Sequence, residues 1–429
     1  MLICALTCLT AASFQEPSPP ADGPFLITEI QAFAPEGTVS MSTGLLIQAD
    51  GSVEFLAPPV DPANYPQAQI IEGEEGWMLY PGLVHANFAN GGGETPTNPY
   101  QGTASDPTEG PIPAMEYGTH SNFYGWLNAA DYAAWDAEDG ADWRAAGFTS
   151  VSLLPKTGLL QGNASHLALN GLPLAEALVR RTGPSLMSLR GAGGYPNTQM
   201  AALAMLRQVL LDQDMPNLSP DLLLGDFVLV RANGARQIEN ILDLQRDFAA
   251  PGSRWVVLGG HQAWKFAERL KAQNVKVLYT LDLEEAPKSE EDLEALAGEE
   301  RPYWQDPLHK RQEQRRMHRE KVEDYLALRA LDVPCALVPP EKLSDLWTAV
   351  EQLQGEDGLA ITADQIYEDL SLSALKILGM PAPPSNLVIS RGAFSFEEPN
   401  LAWVFSHGRG FEFPKDENTE DDADEDDEQ

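Results

Sequence analysis

The sequence has no apolar run approaching the roughly 18 residues that a membrane-spanning helix needs, so nothing in it reads as a polytopic membrane protein. Cysteine is scarce: three in 429 residues, too few for a disulfide framework. Bases are scarce too. Lys+Arg number 28 against 64 Asp+Glu, a formal net charge of −36. That balance excludes nucleic acid as the main partner, because binding phosphates needs a net basic face. There is no Gly-x-Ser-x-Gly elbow, no Cys-x-x-Cys and no tandem repeat. The apolar share of 43% and charged share of 21% are those of a globular protein with ample core.

The acid is unevenly spread. Residues 416–428 carry ten carboxylates and no base, and 414–429 reads as a disordered acidic tail, because like charges repel and nothing there builds a core. The opening run MLICALTCLTAAS is short and apolar and ends in small residues, although it lacks a basic leader. Residues 1–14 are therefore expected to be a signal peptide and the protein to be exported, periplasmic or extracellular. Cys8 after Leu6-Thr7 matches a lipoprotein site only faintly. Residues 15–24 form a Pro-rich linker.

Short apolar runs open the folded region: FLITEIQAF, STGLLIQA and SVEFLAP, the last two joined by the hairpin signal Ala49-Asp50-Gly51-Ser52. Similar runs, NLVISRG and LAWVFSHGRGFEF, return near the C-terminus. Between them, strand-like runs alternate with helical ones. WMLYPGLVHA, FTSVSLLP, SLMSLRG, DFVLVRANG, RWVVLGG, VKVLYTLDL and VPCALVPP read as strands. Residues 197–214, 234–248, 262–273 and 309–330 read as helices. Such alternation predicts a parallel sheet, open or closed.

Several segments, taken in order, resemble the amidohydrolase superfamily, and in particular its imidazolonepropionase-like branch. Residues 68–91, AQIIEGEEGWMLYPGLVHANFANG, resemble the entry to that family's barrel, where Pro-Gly-Leu/Phe leads into a His-x-His pair. WRAAGFTSVSLLP resembles its second barrel strand, and SALKILGM, SNLVISRG and WVFSHGRGFE its closing section. The resemblance implies a (β/α)8 TIM-like barrel over residues 81–380. It also implies a small β-sandwich formed by both chain ends, 25–80 and 381–413.

The resemblance also implies a metal site at the barrel mouth, and there the residues depart from the pattern. The position before the His-x-His pair is His85, and the pair itself becomes Asn87 and Ala89. Arg231 stands where a strand-end histidine is expected; a guanidinium cannot ligate a cation. Gly259 or Gly260 replaces the next histidine, with His261 just beyond, and Val338, Pro339 or Pro340 replaces the strand-end aspartate that activates water. The expectation is a pseudoenzyme, a barrel without the family's metal chemistry and with no cofactor, binding a small anionic or polar ligand or a partner. An intact amidohydrolase paralogue and a second copy of this chain are the partner candidates. The alternative is a hydrolase of carbon–nitrogen bonds, such as cyclic amides, with an atypical zinc site.

His85, Asn87, Asn90, Lys156, Arg231 and His261 are the ligand-binding candidates, with Arg231 and Lys156 suited to hold a carboxylate or phosphate. The plainer reading makes them ordinary strand-end residues bonded to loops and water. The Gly91-Gly92-Gly93 loop and residues 92–117 are expected to lie near the mouth, while residues 308–331 form a charged helix, the one basic stretch in an acidic chain.

Overall fold

The computed structural model describes residues 17–32, 43–57, 59–74, 76–88, 122–190, 196, 198–214, 222–283, 287, 307–354, 361–380, 384–396 and 399–414. The signal-like run, Ala89, Asn90, the glycine loop, residues 92–117 and nearly all of the acidic tail lie outside these residues.

The chain is a mixed α/β fold with three sheets. Strands β1 (Ala21–Asp22), β2 (Phe25–Ala32), β3 (Thr43–Ile47), β4 (Val53–Leu56), β5 (Gln69–Ile71) and β6 (Trp77–Pro81) come from the N-terminal end. The middle supplies β7 (Leu83–Phe88), β8 (Phe148–Leu153), β9 (Leu160–Asn163), β10 (Ser165–Ala168), β11 (Leu178–Arg180) and β12 (Ser185–Ser188). It continues with β13 (Phe227–Ala232), β14 (Arg254–Gly259), β15 (Lys276–Thr280) and β16 (Cys335–Val338). The C-terminal end adds β17 (Leu387–Arg391), β18 (Leu401–Ser406) and β19 (Arg409–Glu412).

Both chain ends meet in one nine-stranded sheet of order β1-β19-β18-β17-β6-β2-β3-β4, with β5 added to β2. Its core is aromatic and branched: Phe25, Ile27, Ile47, Ile389, Trp403 and Phe405 pack together, the last two rings stacked 5.6 Å apart. The hairpin expected at residues 49–52 joins β3 to β4. Asp50 Oδ1 there accepts from Ser52 N at 2.9 Å, an Asx-type closure of the turn.

The run WMLYPGLVHA is two strands rather than one. Gly82 breaks it, and the chain passes from β6 in the nine-stranded sheet to β7 in a four-stranded sheet, β11-β10-β8-β7. Only glycine fits this corner: a Cβ would stand 2.1 Å from Thr149 Oγ1.

The third sheet, β16-β15-β14-β13-β12-β9, carries the expected parallel run. Strands β12 to β16 are mutually parallel, and β9 pairs antiparallel with β12. Helices α3 (Gln199–Asp212), α4 (Ala235–Phe248), α5 (Ala267–Ala272) and α6 (Leu308–Ala330) follow β12, β13, β14 and β15 in turn. The short α1 (Ala141–Ala145) and α2 (Leu174–Ala177) precede them, and α7 (Leu343–Gln354), α8 (Ala363–Leu370) and α9 (Leu372–Leu378) end the series. In α4 the buried residues Ile238, Ile241, Leu242 and Leu244 recur at helical spacing and face the sheet. The helix expected over 262–273 begins instead with a 3-10 turn, capped by Gln262, which adopts φ 65°.

Strand alternation in β13 positions the site. Val228, Val230 and Ala232 pack with the surrounding helices. Phe227 and Leu229 point the other way, into a layer with Leu186, Val256, Leu258 and Leu278 that α9 also joins through Leu375 and Leu378. Fully burying each such leucine stabilises by roughly 2 kcal/mol. Arg231 continues the parity of Phe227 and Leu229, so it surmounts this apolar layer at the C-terminal end of the strand.

Candidate functional site

A cavity of about 680 Å³ opens at the C-terminal ends of the parallel strands, a size ordinary for small-molecule sites. The strand ends themselves line it: Ser188 of β12, Arg231 and Ala232 of β13, Gly259 of β14 and Thr280 of β15. Pro339, Pro340 and Glu341 follow β16 into the wall, and Asn87 comes from β7. Gly259 has φ 113°, and a Cβ on it would meet Asn233 Oδ1 at 1.8 Å, so glycine is required where the strand turns away from the cavity.

Arg231 is the deepest cation of the wall. Its Nε donates to Gln161 Oε1 at 3.0 Å, and Nη2 donates to Pro155 O at 3.2 Å. Nη1 and Nη2 both reach Asn87 Oδ1 at 3.4 Å. All these acceptors are neutral, and no carboxylate among the described residues pairs with it. One Nη1 N–H is left without an acceptor there. Burial holds the guanidinium down at about 10, and the charge of nearby Glu341 works the other way.

Asn87 faces the cavity because of a bulge. The pairing of β7 with β8 shifts register between His85 and Phe88, which re-aims the side chain toward Arg231. His85 takes the opposite course. Its neighbours Val84 and Ala86 join the inner layer, and its own ring turns outward onto Trp143, 4.4 Å between centroids, and Phe88, 5.3 Å. Both nitrogens are engaged. Pro340 O can only accept, so Nε2 carries the proton and donates to it at 3.1 Å, while Nδ1 accepts from Asn87 N at 3.3 Å. Burial lowers its pKa to about 4. His85 therefore lies behind the wall rather than on it, as a neutral strut between β7 and the loop after β16.

Lys156 sits at the rim in an ion pair with Glu341, both side chains well exposed. The hydrogen bond from Lys156 is the first cause that draws the Glu341 carboxyl below its ordinary value. His261 is also set back from the cavity. Tyr279 Oη donates to Lys321 O at 2.5 Å, so the phenol oxygen accepts from His261 Nδ1–H at 2.9 Å. Nε2 is thus the bare nitrogen, buried with no partner among the described residues. Burial takes this histidine to about 4 as well.

Of the six expected residues, then, Asn87 and Arg231 border the cavity, Lys156 stands at its edge, His85 and His261 are buried beside it, and Asn90 lies outside the described residues. Sequence reasoning missed Gln161, which orients Arg231, and the wall residues Arg190, Asp282 and Asp345. Asp282 had a usable signal, since it falls two residues beyond the strand VLYT. Among the described residues no three His, Cys, Asp or Glu side chains come together as a metal ligand set.

No family model and no curated protein matches the sequence. Solved structures do match. An amidohydrolase from Thermotoga maritima MSB8 superimposes with a TM-score of 0.62 at 16% identity, over 90% of this chain and 98% of its own. A protein from Bifidobacterium longum named as a prolidase gives 0.52 at 12% identity, over 91% and 94%. The chain thus has the fold of these hydrolases along nearly its whole described length.

Proposed function

We propose that this chain is a degenerate member of the amidohydrolase superfamily that binds a small anionic ligand at the mouth of its barrel and carries out no metal-dependent hydrolysis. In this reading the four- and six-stranded sheets are two arcs of one barrel, brought together where His85 of β7 holds the loop after β16. The nine-stranded sheet is the family's companion β-sandwich. The position of the cavity supports it, because ligands of such folds bind at the C-terminal ends of the parallel strands.

One observation carries the ligand class: a largely buried guanidinium on the wall of a ligand-sized cavity, bonded among the described residues to neutral acceptors only, with an N–H left over there. A buried charge is ordinarily paired, and a carboxylate is the partner whose geometry suits arginine. The family's divalent metal does not fit the residues described. Arg231 brings a fixed positive charge to the mouth and occupies Asn87 Oδ1, and His85 has no free nitrogen.

The test is calorimetric titration of the full chain with octanoate, alongside metal analysis after zinc dialysis. Saturable binding that Arg231→Gln abolishes is expected, with substoichiometric zinc. A chain that holds one or two zinc ions and turns over a cyclic amide has the alternative chemistry, and the reading falls.

A further inference from the structure

The charges of the cavity wall are sorted by strand. Arg190 and Arg231 come from the ends of β12 and β13. Asp282, Glu341 and Asp345 come from the segments after β15 and β16, with exposed Lys342 beside them. Glu341 is engaged by Lys156. Asp282 is approached by Lys321, whose Nζ donates to its backbone oxygen at 3.0 Å and stands 3.9 Å from its carboxylate. Asp345 accepts a hydrogen bond from Ser344 Oγ at 3.0 Å. Asp345, and Asp282 shared with Lys321, therefore face the cavity from one side, and the Arg231 guanidinium faces it from the other.

The strand order fixes how far apart these poles lie. From β13 the sheet runs through β14 to β15 and then β16. Two to three neighbour spacings separate the two groups, about 10 to 14 Å along the sheet. A phosphate or other compact dianion would satisfy Arg231, but it would leave the acidic side unused. A ligand that spans both poles meets opposite charge at each end.

We infer that the cavity takes an elongated zwitterion, with its carboxylate on Arg231 and its ammonium between Asp282 and Asp345. This rests on the reading of the cavity as an anion site. The dipole of the wall then sets the ligand's orientation, and the apolar Leu258 of β14, the strand between β13 and β15, flanks its middle.

Titration of the full chain at low ionic strength with 8-aminooctanoate, octanoate, octylamine and 3-aminopropanoate decides it. 8-Aminooctanoate should bind about five-fold tighter than octanoate, the gain of one good exposed ion pair. Asp282→Asn with Asp345→Asn should erase that gain and leave octanoate no weaker. These residues are on the surface, so the variant keeps its fold, which its unchanged thermal midpoint would verify. 3-Aminopropanoate is too short to reach both poles and should gain nothing. Equal affinity for octanoate and 8-aminooctanoate overturns the inference while leaving the anion site intact, and so does octylamine binding as tightly as the zwitterion. If no carboxylate binds and Arg231→Gln changes nothing, the anion site itself falls.

Discussion

Replacing Arg231 by methionine separates a functional cation from a structural one. Burial keeps this guanidinium at about 10, well below its ordinary value. At about 1.4 kcal/mol for each tenfold change in proton affinity, the charged form costs the folded state about 3 kcal/mol relative to the unfolded chain. The sign is that of a depressed base: the penalty is in force at every pH below about 10 and lifts only above it. Methionine removes that penalty and keeps most of the side-chain volume over Leu229. It also strips donors from Gln161 Oε1, Asn87 Oδ1 and Pro155 O, which border an open cavity where water can replace them. At a fraction of a kcal/mol each, that loss comes to about 2 kcal/mol. Arg231→Met should therefore raise stability by about 1 kcal/mol, a trade of function for stability. Urea unfolding at pH 7.5 measures it as a higher midpoint at unchanged slope. Added octanoate should stabilise the wild type and leave the variant unmoved. A variant less stable by 1 kcal/mol or more would make Arg231 a strut, and the ligand reading would lose its main support.

His85, His166 and His261 are each held at about 4 by burial, so their contribution is complete above the unfolded value of 6.5 and is lost as the pH falls through 4. Each withdraws up to about 3 kcal/mol over that window, partly offset by Asp324 and Asp369, whose carboxyls burial raises. The urea midpoint should drop steeply between pH 6.5 and 4.5. His166→Asn, which keeps an acceptor for Ser152 Oγ, should flatten the drop, and an unchanged slope would contradict the assignment. Gly259→Ala puts a Cβ into Asn233 at a positive φ and should cost about 3 kcal/mol together with octanoate binding, as urea unfolding and calorimetry would register; a wild-type midpoint refutes the strain. Lys156→Gln breaks an exposed pair and should shift stability by less than about 1 kcal/mol. Its octanoate affinity should stay within two-fold, because Lys156 serves Glu341 rather than the cavity; a large loss would restore it as an anion ligand.

The parallel strands β12 to β16 were legible as short apolar runs, closed by Gly, Pro or Asn in every case but β15, and helical patterns alternate with them as far as residue 330. Arg231 was singled out through the family resemblance, as the residue standing where a strand-end histidine is expected. His85 was not. A strand buried on both faces has no polar alternation, so the run LVHA does not say which face the imidazole takes, and the bulge before Phe88 then separates Asn87 from it. Strands β9 and β10 were missed outright. Gln161, Asn163, Ser165 and His166 interrupt the apolar pattern, and they sit in strands, all but Asn163 buried, because tertiary partners meet their polar atoms: Lys156 O for Gln161, Gly125 O for Asn163, Arg181 O for Ser165, Ser152 for His166. The site's electrostatics show the same limit. Lys156 and Glu341 lie 185 positions apart, so the pairing that gives Lys156 a carboxylate partner exists only once β8 and β16 have been brought together. What sequence position could establish was which side chains reach the strand ends. How each of them is partnered is decided by neighbours that folding supplies: among the described residues Lys156 meets a carboxylate and Arg231 meets neutral acceptors.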